Sequence, residues 1–319
     1  MTNIHKLHNQ IKHYKWGSPV LLPQFLGLNN SNKEPYAEMW MGTNKSAPSS
    51  VEINGEITEL NSAFGEVPFL FKLLAVEEPL SIQAHPNREQ AIEGFSGGNI
   101  NYSDANKKDE ILCALTPFTL MAGFRQTDDV FSSYKNASNE QLDLIKYFES
   151  LYPNDSGVYS PLFLNLITLQ PGQAVFIPAC VPHSYISGFG LELMNSSDNV
   201  LRGGLTSKHI DIIELNKIIN PEPFLPQIIN PLFADTNVKR FDYPSLSCDF
   251  SLSVINSTNN AELTFSNKGC VICIVTEGQL TIGDLQFKKG DSFFIPGQSE
   301  AVLFKGDYSL YAAIEGVTL

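Results

Sequence analysis

The chain has 319 residues, enough for two or three domains, and its 43% hydrophobic and 17% charged residues are the balance of a packed globular protein. A formal charge of −13 with no compensating basic block argues against nucleic acid and anionic membrane as partners, so an anionic small molecule would need a local cationic pocket. No stretch approaches the roughly 18 apolar residues of a membrane span, residues 1–17 hold no apolar signal core, and the five cysteines are scattered and odd in number, which predicts a cytoplasmic protein.

Most of the chain reads as short strands between turn residues. In order, apolar runs predict strands over Phe69–Val76, 80–84, 111–115, 163–169, Ala174–Ile177, 271–276, 279–282 and Ser292–Ile295. Turn residues recur at Gln170-Pro171-Gly172-Gln173, Glu277-Gly278, Lys289-Gly290-Asp291 and Pro296-Gly297. Such punctuation predicts a mainly β protein, a sandwich or barrel, instead of a wound α/β sheet. Two stretches break the pattern. Asn87 is placed to cap a helix over 88–95. Residues 127–152 carry helical periodicity, with Leu142, Ile145, Phe148 and Leu151 on one face and a capping box in Ser138-Asn139-Glu140-Gln141. The proline-rich segment 220–226 then reads as a linker before a C-terminal β unit.

A faint repeat links the two β regions. Gly172, Pro178 and His183 resemble the second half of a cupin signature: a turn glycine, a strand, a proline bend and an inward ligand. Gly290 and Pro296 repeat the first two, but Ala301 stands where the histidine would be. The expected fold is therefore two cupin-type jelly-roll barrels in tandem with a small helical insertion. Residues 1–103 and 156–230 would form the metal-binding domain, 104–155 the insertion, and 231–319 a degenerate cupin without ligands. Cys270-Val271-Ile272-Cys273 resembles a redox or zinc motif, but residues three apart on a strand point to opposite faces and no second pair completes a site.

Gln83-Ala84-His85 lies on an extended segment, so the amide and imidazole share one face and can converge on one cation. His183 sits between Pro182 and Ser184 in a bend stiffened by Pro178 and Pro182, which suits a preorganised ligand. A carboxylate should complete the set. Glu89 has the generic cupin spacing but follows Pro86-Asn87 onto an expected helix, whereas Glu110 opens the strand 111–115; spacing alone leaves the two open.

Longer motifs carry a family resemblance. Phe69-Leu70-Phe71-Lys72-Leu73-Leu74, Leu80-Ser81-Ile82-Gln83-Ala84-His85-Pro86-Asn87, Glu38-Met39-Trp40-Met41-Gly42-Thr43, Leu115-Thr116-Pro117-Phe118 and Ser197-Asp198-Asn199-Val200-Leu201-Arg202-Gly203-Gly204-Leu205-Thr206 resemble, in order, the type I phosphomannose isomerases. The resemblance runs from about Lys15 to Ile213 and more weakly beyond. It implies one zinc ion per subunit, or another divalent metal, held by Gln83, His85, Glu110 and His183. It also implies interconversion of mannose 6-phosphate and fructose 6-phosphate through an enediol. Arg202 matches the family's active-site arginine, and Lys72, Ser81, Lys108, Glu192 and Lys208 match positions lining its substrate cleft. Lys108 and Glu192 are the candidates for proton transfer, while Arg202 is suited to enediolate charge or phosphate. The partner is then a sugar phosphate, with monomer or weak homodimer as the expected assembly.

Three features depart from the family. Lys107-Lys108-Asp109-Glu110 replaces a His-Lys-Pro-Glu pattern, Asn44 replaces a histidine, and the helical region is short. Two other functions remain compatible with the barrel: an Fe(II) cupin oxygenase and a non-catalytic sugar-phosphate-binding cupin. The glutamine ligand and the surrounding charges weigh against the first. The lack of a basic helix-turn-helix weighs against a regulator.

Overall fold

The computed structural model describes residues 4–126, 130–244 and 247–316. It divides into two compact units. One comprises the residues up to Leu74, Leu191–Ser196, and the residues from Ile229 on; the other is Ala75–Gly190 with Ser197–Ile228.

The first unit holds an antiparallel sheet with strand order Val238–Tyr243, Phe250–Ser257, Val302–Glu315, Val271–Ile282, Ser292–Ile295, His5–His8, Ser50–Ile53, Glu56–Glu59. The N-terminal strand thus sits inside the C-terminal sheet, with His5 opposite Phe294 and Leu7 opposite Val51. Behind it lies a core of Ile255, Phe265, Val275, Leu280, Phe287, Phe293, Phe304 and Leu310, all buried. Phe265 and Phe304 stack at 5.1 Å. Gln10–Lys12, Glu38–Gly42 and Phe69–Val76 pair antiparallel in the same unit. All eight residues of Phe69–Val76 are buried, so its unbroken apolar run reflects cover on both faces.

The second unit pairs Ala174–Ile177 with Glu110–Ala114, and Leu164–Leu169 with Phe118–Phe124. The start of the long strand His183–Asn195 lies against Phe118–Phe124 and Ile82–Ala84, which in turn pairs with Leu201–Gly204. Arg88–Ser96 and Asn139–Leu151 are helices, and both open with complete capping boxes, Asn87 with Gln90 and Ser138 with Gln141. Ile145 and Phe148 are buried, and Phe148 packs with Met121, Leu164 and Ile186. Part of the helical periodicity foreseen over 127–152 falls on 127–129, outside the described residues.

Several expectations change. The compact units cut the chain elsewhere than the expected domain borders, because His5–His8 completes the C-terminal sheet and so draws the N-terminal segment to that unit. The segment 104–155 carries the foreseen strand, as Glu110–Ala114, and an unforeseen one, Phe118–Phe124, besides its helices. Glu277-Gly278 is no turn: Val271–Ile282 runs through it with a register shift between Val275 and Glu277. The φ of +69° at Gly278, where a Cβ would meet the Asp307 carbonyl oxygen at 2.1 Å, makes this a bulge that only glycine fits. The 220–226 segment is pinned to the second unit. Asn220 N–H bonds the Cys180 carbonyl, Phe224 N–H bonds the Phe124 carbonyl, and the Asn165 amide donates to the Phe224 carbonyl. Cys270 and Cys273 are free, buried thiols, and Cys273 belongs to the core, as opposite-facing strand positions require.

Candidate metal centre

His85, Glu110 and His183 are buried together, with ligand atoms all within 4.8 Å of one another. They form the one such His/Cys/Asp/Glu group among the described residues. Strand pairing produces this convergence: His183 lies opposite Gln83, and Glu110 opposite Ile177. Of the two carboxylates left open by spacing, the fold brings Glu110 to the imidazoles. Glu110 is 1% exposed beside both imidazoles, whereas Glu89 lies exposed in the first turn of Arg88–Ser96.

Each imidazole is oriented from behind by a backbone carbonyl. His85 Nδ1–H donates to Asn199 O at 2.7 Å, and His183 Nδ1–H to Val181 O at 2.9 Å. Both Nε2 lone pairs are thereby turned inward. His85 Nε2 faces Glu110 Oε1 at 3.2 Å, and His183 Nε2 faces Glu110 Oε2 at 3.1 Å. The Gln83 amide reaches His183 Nε2 at 3.3 Å; a half-turn about its last bond presents the carbonyl oxygen in place of the NH₂. His85 Nε2 receives no hydrogen bond, and Glu110 Oε1 is met by the Lys108 ammonium in an ion pair at 3.0 Å. Two imidazole lone pairs converging on a carboxylate repel one another unless a cation lies among them. Two nitrogens, a carboxylate and an amide oxygen form the mixed donor set that suits zinc or a similar divalent ion.

The electrostatics agree. Burial, and then the nearby Lys108 ammonium, pull His85 down to about 3, against the opposing effect of Glu110. Burial alone would raise Glu110, but Lys108 and the two imidazoles outweigh it and hold the carboxyl well below its usual range. His85 is therefore neutral and Glu110 anionic at neutral pH.

The remaining candidates fall into two groups. Lys108 Nζ stands 3.0 Å from Glu110 Oε1. Arg202, half-buried, pairs opposite Gln83 in the neighbouring strand, and Ser81 directly precedes Ile82–Ala84. Lys208 is exposed, with its N–H bonded to the Thr206 hydroxyl. Lys72 and Glu192 lie in the first unit, 2.5 Å apart and buried, with Glu38 at 3.7 Å from the same ammonium. Trp40 Nε1 donates to Glu38 at 2.8 Å, and Lys72 lies 5.5 Å from the Trp40 ring centre. Of the departures, Lys107 pairs with Asp109 at 2.7 Å, and Asn44 accepts from both the N–H and the hydroxyl of Ser46.

Sequence reasoning missed the supports: the Asn199 and Val181 carbonyls, and the Tyr185 hydroxyl 3.5 Å from Glu110 Oε2. Asn199 was visible only as part of a motif. Its fully buried side chain accepts from Ser103 N–H and donates to the Asp104 and Asn106 carbonyls, which fixes the carbonyl that aims His85.

A buried nitrogen–oxygen donor set on short antiparallel strands defines a metal-binding protein of the cupin type. Residues 4–127 match the family described as phosphomannose isomerase type I, catalytic domain. The chain is 33% identical to mannose-6-phosphate isomerase of Escherichia coli (strain K12), an alignment covering 94% of this chain and 97% of that protein. It is 28% identical to the Homo sapiens protein of the same name, over 85% and 86%. Among solved structures, a zinc-bound mannose 6-phosphate isomerase superposes with a TM-score of 0.88 at 30% identity, over 99% of this chain and 100% of the other. A mutant of phosphomannose isomerase from Salmonella typhimurium gives 0.90 at 29%, with the same coverage. The chain belongs to the type I mannose-6-phosphate isomerase family.

Proposed function

We propose that this protein interconverts mannose 6-phosphate and fructose 6-phosphate at a zinc site formed by Gln83, His85, Glu110 and His183. The observation that carries this reading is the convergence of the buried His85 and His183 Nε2 atoms on the Glu110 carboxylate, in a family of isomerases with a zinc-bound relative. A divalent ion bound there supplies Lewis-acid polarisation of the substrate oxygens.

The chain's own residues do the rest. The isomerisation moves a proton between C1 and C2 of the sugar, with negative charge developing on oxygen. Lys108, buried beside a ligand carboxylate, is the proton carrier. Arg202, a permanent cation on the strand next to Gln83, holds the enediolate or phosphate charge in a two-pronged hydrogen bond. Within the first unit, the buried pairing of Lys72 with Glu192 suits that carboxylate to orienting Lys72 more than to abstracting a proton. Ser81 and Lys208 complete the substrate contacts. No disulfide joins the five cysteines, as a reducing cytoplasm would keep them, and no helix among the described residues is long and apolar enough to cross a membrane.

The test joins elemental analysis of purified protein to a coupled assay for fructose 6-phosphate formation, before and after chelation. One zinc per chain and activity lost on chelation and regained on zinc addition support the reading. Full activity in demonstrably metal-free protein overturns it. Oxygen consumption or sugar-phosphate binding without turnover would move the chain to one of the two other cupin functions.

A further inference from the structure

The ladder between Ala174–Ile177 and Glu110–Ala114 ends with Ile177 opposite Glu110. Pro178 follows and has no N–H, so the backbone cannot extend the ladder. The next donor, Ala179 N–H, is taken by a side chain: Asp109 Oδ1, at 2.9 Å. The other oxygen, Oδ2, accepts from Lys107 Nζ at 2.7 Å, and Asp109 is 8% exposed. The bend tethered in this way does two things for the metal centre. Its Cys180 N–H holds the His85 carbonyl at 2.7 Å, and its Val181 carbonyl takes His183 Nδ1–H at 2.9 Å. Cys180 keeps a φ of +70°, a conformation that a non-glycine residue holds only where its surroundings over-determine it.

We infer that Asp109 is a positioning residue of the metal centre. Its carboxylate replaces the backbone bond that Pro178 cannot make, locks the 178–182 bend, and so sets the direction of the His183 Nε2 lone pair toward Glu110. The residue adjacent to one ligand in sequence thus aims another ligand 74 positions away from it (183 − 109). This inference rests on the metal reading above, and the test separates the two.

Purified protein is loaded with zinc, its zinc content is measured, and release into excess chelator is followed with a chromogenic indicator. A wild-type protein that takes up no zinc overturns the metal reading itself, before Asp109 is tested. With wild type loaded, Asp109→Ala is expected to release zinc roughly 10–100-fold faster, the usual cost of losing a group that orients a ligand. Asp109→Asn keeps the Oδ1 acceptor and is expected to stay within about threefold of wild type, since only the pairing with Lys107 is weakened. Lys107→Met should behave like wild type. The gap in Tm between zinc-loaded and zinc-free protein should shrink in Asp109→Ala and persist in Asp109→Asn; a merely structural role would lower both forms equally. Asp109→Ser, whose side chain is shorter, serves where the alanine variant does not fold. Wild-type release from the alanine or serine variant overturns the inference, and so does an asparagine variant as leaky as either.

Discussion

Each unit buries a charged cluster, and the two are built on different plans. In the first unit, Lys72 supplies a cation to two carboxylates, Glu38 and Glu192, while the Trp40 indole N–H satisfies one Glu38 oxygen. In the second, one carboxylate and two inward-facing imidazoles meet with a single lysine, and His85 Nε2 goes without a hydrogen bond. Burying polar groups is costly unless they are paired. Both clusters thus set a lysine against a carboxylate, but only the second turns two imidazole nitrogens onto that carboxylate, a set that a cation from outside would complete. A mutation that removes a member should destabilise the fold in the first cluster and the metal in the second.

The sharpest break is Glu110→Ala. Loss of the anionic ligand should abolish stoichiometric zinc, measured by elemental analysis, and lower turnover in the coupled assay by about a thousandfold or more, of the order of 4 kcal/mol in the barrier. Retained zinc in that variant would refute the donor set. Next comes Lys72→Met, which leaves two carboxylates buried without their cation; unfolding in urea should show a loss of about 3–5 kcal/mol. Its zinc content should stay at wild type, and a parallel loss of metal would erase the contrast.

Chelation gives a smaller effect. With free zinc at ~100–1,000 times its dissociation constant, bound metal adds about 3–4 kcal/mol, so the zinc-free protein should melt several degrees lower. Removing zinc should also expose an acid sensitivity. The unfolded chain binds a proton on His85 near its ordinary value of 6.5, whereas the folded zinc-free chain resists protonation until about pH 3. Stability of the zinc-free form should then fall as pH drops below about 6.5, by up to ~1.4 kcal/mol per pH unit. His85→Gln should flatten that slope between pH 6.5 and 4.5, above the range where carboxylates dominate. An unchanged slope would show that His85 is not held neutral. Smallest is Trp40→Phe, which strips one donor from Glu38 and should cost about 1–2 kcal/mol without moving zinc content.

What the sequence displayed depended on range. The Asn87 cap and the Ser138 capping box are signals within four residues, and both helices start where those signals place them. Gln83 and His85 share a face because strand geometry alternates over two residues. Glu110 could not be separated from Glu89 by the same means, because its place beside His183 is set by the register of Ala174–Ile177 against Glu110–Ala114, a contact between distant segments. The Glu277-Gly278 pair shows the limit of turn chemistry: a glycine at positive φ served a bulge, and only the partner strand could reveal which. The carbonyls of Asn199 and Val181 had no signal at all, since a backbone acceptor is the same in every residue type.

The position of His5–His8 sets the order in which the first unit can assemble. His5–His8 lies between Ser50–Ile53, which is made soon after it, and Ser292–Ile295, which is made long after it. Until Ser292–Ile295 is made, one edge of His5–His8 has no strand to pair with, and the side chains of Phe293 and Phe304 do not yet exist to pack with Ile4. Long-range pairing of this kind folds slowly and leaves an open strand edge meanwhile. A chain cut short by some thirty residues would keep the sequence of every proposed metal ligand, yet it would emerge with its first strand half unpaired and ready to associate with a neighbouring chain.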